Sequence, residues 1–313
     1  MNEFSLIEQF FKPLSLKRDD VLLGIGDDAA CLHVPKGMNL LVSTDTLVSG
    51  VHFLPDWSAY DIACRSVMVT VSDLAAMAAE PCWATLAITL PTTDTHWLAD
   101  FARGLSDSLK QFNMSLIGGD TTCGPLSITL TVFGWAPKGQ EIRRSGAKPG
   151  DVVIVSGVLG AAALAVRFLE KNDLPAPDKK ELMHQLIHPQ PRTDLMSLLR
   201  LNATASIDIS DGLSADLNHL CVASNVGACL DKEAIPVHHL VKRYYSDKAV
   251  DLALTGGDDY ELCFTVPMQR LDALREAAIL CYPIGVIEKE PGLRIKTADN
   301  HCEKLEPHGY SHF

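Results

Sequence analysis

The chain has 313 residues, 47% of them hydrophobic and 21% charged, which is longer than the usual single domain and apolar enough to fill two cores. A formal net charge of −12 argues against nucleic acid as a partner, but leaves room for phosphorylated small molecules held through cations. No apolar run of about 18 residues occurs, so no membrane partner is expected.

Met1-Asn2-Glu3-Phe4 lacks the basic and apolar regions of a signal peptide. The nine cysteines are scattered without a Cys-x-x-Cys pair, so free thiols and a cytoplasmic location are expected.

Residues 1–23 open on an amphipathic helix, with Phe4, Leu6, Ile7, Phe10 and Phe11 at a 3.6-residue period. In Gly24-Ile25-Gly26-Asp27-Asp28-Ala29-Ala30, two glycines lead into adjacent acids. The segment suits a tight hairpin turn or a ligand loop, and no third glycine completes a dinucleotide fingerprint. Leu40 to Val42 reads as a short buried strand that breaks into Ser43-Thr44-Asp45-Thr46. Four successive hard-oxygen side chains suit either a polar turn or a grip on Mg²⁺. His52 follows seven residues after Asp45, between Val51 and Phe53.

Ser58-Ala59-Tyr60-Asp61 has the pattern of a capping box, and the helix it starts is expected to reach about residue 79. Within it, Asp73 lies among small apolar residues, where a lone carboxylate is costly to bury. It is either a cap after a kink or a metal or catalytic ligand. A strand over 83–90 and an amphipathic helix over 94–112 follow. Residues 115–122 read as a short strand ending in Gly118-Gly119-Asp120. This is a simple turn, or a place where main-chain amides approach a phosphate while Asp120 holds its cation. A strand over 128–135 completes the first half.

Residues 143–151 combine Gly, Pro and the densest basic cluster, which makes them the linker between domains at 1–142 and 143–313. Arg143 and Arg144 are either solvated hinge residues or bidentate phosphate ligands. A strand over 151–155, an alanine-rich helix, and helices near 178–187 and 193–201 come next. Another strand ends in Asp208-Ile209-Ser210-Asp211-Gly212. Ser210 or Asp211 caps the helix over 211–224, or the two carboxylates, three residues apart, converge on one ion. Leu252-Ala253-Leu254-Thr255-Gly256-Gly257-Asp258-Asp259 is expected to repeat the strand–Gly–Gly–acid design. The tail Gly309-Tyr310-Ser311-His312-Phe313 carries two aromatics, which are either disordered or lid a ring-shaped ligand.

Asp27, Asp28, Asp45, Asp73, Asp120, Asp208, Asp211, Asp258 and Asp259 share these turn, strand-end and small-residue settings. Two unit charges about 4 Å apart repel by about 4 kcal/mol at an effective dielectric near 20. Several such pairs would exceed a domain's stability of roughly 5–15 kcal/mol. Divalent cations relieve the repulsion, and oxygen-only ligands select Mg²⁺ or Mn²⁺ over zinc or copper. Neither a Walker A motif nor a kinase catalytic loop is present.

Seven ordered motifs resemble the thiamine-monophosphate kinase family: Gly26-Asp27-Asp28-Ala29-Ala30, Ser43-Thr44-Asp45-Thr46-Leu47 with Gly50-Val51-His52-Phe53, Ser72-Asp73-Leu74-Ala75-Ala76-Met77, Ile117-Gly118-Gly119-Asp120-Thr121-Thr122, the segment from Arg144 to Asp151, Ile207-Asp208-Ile209-Ser210-Asp211-Gly212-Leu213, and Gly256-Gly257-Asp258-Asp259-Tyr260-Glu261-Leu262. The resemblance implies ATP-dependent phosphorylation of thiamine monophosphate to thiamine diphosphate. It also implies an α/β (α+β), two-domain, aminoimidazole ribonucleotide synthetase-like fold. The N-terminal domain would bind ATP and Mg²⁺ and form a homodimer through its sheet, and the C-terminal α/β domain would complete the active site.

By motif position, Asp27, Ser43, Thr44, Asp45, Asp73, Asp120, Asp208 and Asp211 would hold several Mg²⁺ ions. Gly119, Asp120, Arg144 and Ser210 would contact ATP, and His52, Asp258 and Tyr310 the thiamine monophosphate. The family often has Glu where this chain has Asp258 and Ser49. Direct in-line transfer needs no side-chain base, because the acceptor is already an anionic phosphate oxygen. Two other readings remain: an ATP-dependent synthetase of the same superfamily, and a non-catalytic metal- or nucleotide-binding protein that uses only the aspartates.

Overall fold

The computed structural model describes residues 2–169, 174–271, 274, 281–299 and 301–312. The chain folds into two compact units, one of residues 1–74 and 79–141, the other of 75–78 and 142–313. Phe313 lies outside the described residues.

The first unit begins with α1 (Glu3–Leu6), capped by Asn2, whose Oδ1 accepts the Ser5 amide at 2.8 Å. The expected amphipathic helix continues, but not in regular α form: it widens to a π-helix over Ile7–Phe11 and tightens to a 3-10 turn over Lys12–Leu14, where Pro13 cannot sit inside a regular helix. Leu6, Phe10, Phe11 and Leu14 are nevertheless buried. β1 (Val21–Leu23) and β2 (Cys31–Leu32) pair antiparallel, so residues 24–30 form a hairpin loop. That loop is anchored at its base. Asp20 accepts the Trp83 indole N–H at 2.9 Å and pairs with Arg18 at 2.6 Å, while Trp83 meets Trp135 edge-on at 5.3 Å.

The main sheet of this unit runs β3 (Met38–Val48), β6 (Ser127–Pro137), β4 (Glu80–Leu90), β5 (Ser115–Cys123). β6 is antiparallel to both neighbours, and β4–β5 is a parallel pair crossed over by α3 (Thr95–Gln111). α2 (Ala59–Ala76) is buried along most of its length and lies so close to α3 that a Cβ on Gly104 would collide with the Tyr60 carbonyl. Ser58 accepts the Asp61 amide at 3.0 Å at the head of α2, as the capping pattern predicts.

The reading of β3 needs correction. Its hydroxyl–acid run does not break the strand: all eleven residues pair with β6, from Met38↔Pro137 to Val48↔Ser127. β-Branched threonines suit a pleated surface, and here they also bond across it, Thr44 to Thr131 at 2.8 Å and Thr46 to Thr129 at 2.9 Å. The strand is also an edge, with Leu40 42% and Val42 55% exposed rather than buried.

The second unit carries a seven-stranded sheet in the order β13 (Cys302–Leu305), β12 (Gly292–Lys296), β9 (Gly227–Asp231), β11 (Tyr282–Glu288), β7 (Val152–Val155), β10 (Leu262–Val266), β8 (Ala205–Asp208). Only β9–β12 is parallel. β7, β10 and the edge strand β8 are buried throughout, and β7 reads as the continuous apolar run Val152-Val153-Ile154-Val155 that two-sided burial requires. Among the described residues its α-helices are α4 (Ala161–Phe168), α5 (Ala176–Ile187), α6 (Met196–Asn202), α7 (Leu213–Ser224), α8 (His239–Tyr245) and α9 (Ala249–Thr255). One core layer joins Ile154, Leu198, Leu199, Phe264 and Val266 with Ala76 and Ala78. A second correction falls here. Residues 252–255, expected as a strand, form the last turns of α9, because Ala and Leu are strong helix formers and no β-branched alternation opposes them.

Candidate active site

In the first unit, Ser43 and Asp45 point to one side of β3 and meet Asp73 from α2. The Ser43 hydroxyl donates to Asp73 Oδ2. Burial, and then the neighbouring Asp73 charge, push the Asp45 carboxyl up to about 6, although a hydrogen bond with Thr70 opposes the rise. Thr70 escaped the sequence reading. Its signal is the i, i+3 spacing from Asp73 on one helix.

Strand alternation sends Thr44 the other way, its hydroxyl bonded to Thr131 on the opposite face. Thr44 can therefore serve the Asp45 side only through its main chain.

A cavity of about 740 Å³ in the same unit is lined by Phe11, Lys12, Gly26, Asp27, Gly119 and Asp120 among others. It joins the hairpin loop to the Gly-Gly-Asp stretch of β5 and is of a size that accepts a nucleotide. Gly119 is obligatory there, since a Cβ would strike the Leu86 carbonyl oxygen of β4. Asp27 and Asp120 are exposed. Asp27 Oδ1 accepts the Asp28 amide at 2.8 Å, which turns the loop on itself.

His52 sits in the turn after β3, where its Nδ1 accepts the Val48 amide at 3.0 Å and its carbonyl accepts Arg65 of α2 at 3.2 Å. The neutral ring therefore carries its proton on Nε2.

In the second unit, Asp208 ends β8 with its side chain buried, and Ser210 and Asp211 form the turn into α7. Neither Ser210 nor Asp211 supplies the cap. Asp216, from inside the helix, reaches back to accept the amides of Asp211 at 3.1 Å and Gly212 at 3.0 Å. Burial drives the Asp216 carboxyl up to about 7 despite these two bonds. The sequence reading passed over Asp216, whose mark is an acid in the first helical turn.

The loop after α9 lies main chain against main chain on this turn. Asp258 N–H donates to Ser210 O and Tyr260 N–H to Ile209 O, both at 2.8 Å. A Cβ on Gly257 would crowd Ser210 O, and Asp258 and Tyr260 both take positive φ, 69° and 50°. Non-glycine residues in that region are strained by about 1–3 kcal/mol and cluster at working sites.

The tail docks at the same place: Tyr310 N–H donates to Asp211 O at 3.0 Å, and Ser214 donates to His308 O at 2.7 Å. The half-exposed Tyr310 ring stands edge-on to His312 at 4.9 Å. Asp258, Ser210, Asp211 and Tyr310 are thus brought together.

Arg144 is exposed and held through its carbonyl by Ser224 at 2.9 Å, while the adjacent Arg143 carbonyl accepts the Ser206 amide at 3.0 Å. The Arg143 main chain thus lies beside the start of β8, whereas Ser210 lies past its end.

Two more acids, Asp259 and Glu261, are fixed inward. Asp259 accepts the Gly160 amide at 2.9 and 3.0 Å, and burial holds its carboxyl well above the ordinary range. Glu261 pairs with Arg192 at 2.9 Å and accepts the Ser156 hydroxyl. These are brackets of the loop.

Two units of this kind, with acids and glycines at the ends and edges of their sheets, match the AIR synthase related family: its N-terminal domain over residues 26–136 and its C-terminal domain over 148–297. Within that class, thiamine-monophosphate kinase of Escherichia coli (strain K12) is 47% identical over 276 residues, covering 87% of this chain and 85% of that protein. The crystal structure of thiamine-monophosphate kinase from Stenotrophomonas maltophilia K279a superposes with a TM-score of 0.87 at 42% identity, covering 94% of this chain and 96% of that one. AaThiL, solved in complex with AMPPCP and TMP, gives 0.81 at 31% identity over 99% and 97%. The chain belongs to the thiamine-monophosphate kinase family.

Proposed function

We propose that this chain transfers the γ-phosphoryl group of ATP in line to the phosphate of thiamine monophosphate, forming thiamine diphosphate. The observation that carries the reading is the Asp45–Asp73 pair, in which Ser43 donates to Asp73 and burial, then the Asp73 charge, push the Asp45 carboxyl up to about 6. Such a pair in an all-oxygen setting fits Mg²⁺ and is poorly suited to softer metals. In the first unit Asp27, Ser43, Asp45, Asp73 and Asp120 would hold the ions, with Thr44 contributing its main-chain carbonyl. In the second unit Asp208 and Asp211 would do so. Bound there, Mg²⁺ neutralises phosphate charge so that two anions can react.

Gly119, Asp120, Arg144 and Ser210 are assigned to ATP. Gly119 keeps side-chain bulk away from the phosphates, and Arg144 offers a planar fork to them. His52 presents an Nε2–H donor to thiamine monophosphate, Asp258 a carboxylate, and Tyr310 a ring face. No residue is assigned as a base.

A homodimer through the exposed face of β3 and a cytoplasmic location belong to the same proposal. The first is supported by exposed Leu40, Val42 and Val48, the second by nine cysteines that are all free thiols. No helix among the described residues is long and apolar enough to cross a membrane.

The test is to incubate the full chain with ATP, Mg²⁺ and thiamine monophosphate and to assay thiamine diphosphate. Product that depends on all three is expected. ATP consumption with no thiamine diphosphate would overturn the assignment.

A further inference from the structure

Glu181 of α5 faces two consecutive histidines at the head of α8. Its Oε1 lies 3.3 Å from His238 Nε2 and 3.5 Å from His239 Nε2, and all three ligand atoms fall within 4.8 Å of one another. A tetrahedral cation with ligands at about 2.0–2.1 Å separates them by about 3.3 Å, so both carboxylate–imidazole spacings already match one. We infer that Glu181, His238 and His239 form a second metal site, for a Zn²⁺-type borderline cation, with its fourth position open to solvent. Two imidazoles and one carboxylate are the donor set of many zinc centres and differ in kind from the all-oxygen set proposed for Mg²⁺.

The ligands are held before any ion arrives. His238 is buried, and its main chain donates to Leu159 O at 3.1 Å. α5 and α8 are already joined one turn away, where Asp178 accepts Arg243 at 2.9 Å and Tyr244 at 2.5 Å. His239 and Glu181 lie at the surface, which gives the cation a way in.

His238 Nδ1 accepts the Leu240 amide at 3.3 Å, so the metal-free neutral ring carries its proton on Nε2 and shares it with Glu181. The cation takes that place, and the proton passes to Nδ1 as the long Leu240 bond is given up. The ring stays neutral. The competing reading is a carboxylate that merely accepts hydrogen bonds from two imidazoles.

The test uses the full chain, stripped of metal by chelator and then kept in excess Mg²⁺, titrated with Zn²⁺ by calorimetry and with Co²⁺ by visible absorption. Wild type is expected to bind one equivalent that Glu181→Gln and His239→Ala each weaken at least tenfold. Zn²⁺ should raise the thermal midpoint of wild type but not of the variants, while Mg²⁺-dependent turnover is the same in all three. Unchanged Zn²⁺ affinity in both variants, which would place the ion on the cysteines or acids, overturns the site. So does a wild type that binds no equivalent.

Discussion

The hydroxyl of Ser43, on an edge strand, donates to Asp73, thirty residues further on in the buried helix α2. That bond fixes the carboxylate beside Asp45 and turns two separate sequence motifs into one acidic pocket.

The first prediction concerns this pocket. Asp45→Asn is expected to lower turnover by at least about 100-fold, since Asp45 is assigned to the Mg²⁺ that neutralises the transferring phosphoryl group, and weakening such charge stabilisation commonly removes several kcal/mol. Without metal the same variant should be more stable than wild type. A carboxyl raised to about 6 is disfavoured in its ionised form on folding, so wild type loses stability as pH rises through that value, and asparagine does not. Thermal midpoints at pH 8 in chelator, alongside turnover in Mg²⁺, check both halves. A variant that is less stable under those conditions would contradict a carboxyl raised by burial and by Asp73.

Asp216 predicts a second pH dependence. Its carboxyl, at about 7, lies above the unfolded value near 4, so the stability linked to it is fully present at low pH and lost across pH 4–7. Asp216→Asn should gain on wild type over that window, by at most roughly 1.4 kcal/mol per pH step of one. Urea midpoints of both proteins from pH 4 to 8 measure it, and parallel curves would count against an Asp216 carboxyl raised by burial.

Gly119→Ala tests the approach of β5 to β4. The new methyl meets the Leu86 carbonyl, a backbone atom that cannot rotate away, so a loss of more than about 4 kcal/mol is expected. Gly118→Ala, one residue earlier and open apart from a distant methyl of Thr85, should fold normally. Circular dichroism melts distinguish the pair.

Tyr310 should act on one substrate only. Tyr310→Ala is expected to raise KM for thiamine monophosphate about tenfold, equivalent to about 1.4 kcal/mol of ring contact, and to leave KM for ATP unchanged. Tyr310→Phe should keep most of the affinity, because the assigned role belongs to the ring. Steady-state kinetics with each substrate varied in turn decide it.

Val42 offers the test of the homodimer. Val42→Lys puts a charge in the middle of the exposed β3 face and is expected to give monomers in sedimentation at concentrations where wild type is dimeric. A wild type that sediments as a monomer would remove the dimer from the proposal.

Much of the site was legible because its parts are local. Gly-Gly-Asp, Ser-Thr-Asp and Asp-Ile-Ser-Asp are short strings whose chemistry shows in the residue types themselves. What stayed hidden was decided by tertiary neighbours. The strand character of Ser43 to Thr46 comes from the threonines of β6, which no local propensity reports. The helix over 252–255 looked like a strand because three apolar residues before Gly-Gly fit either element. The Thr44 hydroxyl counted with the ligands until the pleat showed it facing Thr131, which leaves Thr44 only its main chain for that role. Asp216 matters only through a helix turn that brings it back to Gly212, and Thr70 only through the packing of α2 on β3 that brings it to Asp45.

The burial of Asp45 beside Asp73 also bears on how long the protein survives in a cell. A chain that buries an ionised Asp45 with no cation to offset it opens more often, and opened chains are the ones proteases cut. Its abundance should then follow the supply of Mg²⁺ and nucleotide, so that starvation for either thins out the enzyme as well as slowing it.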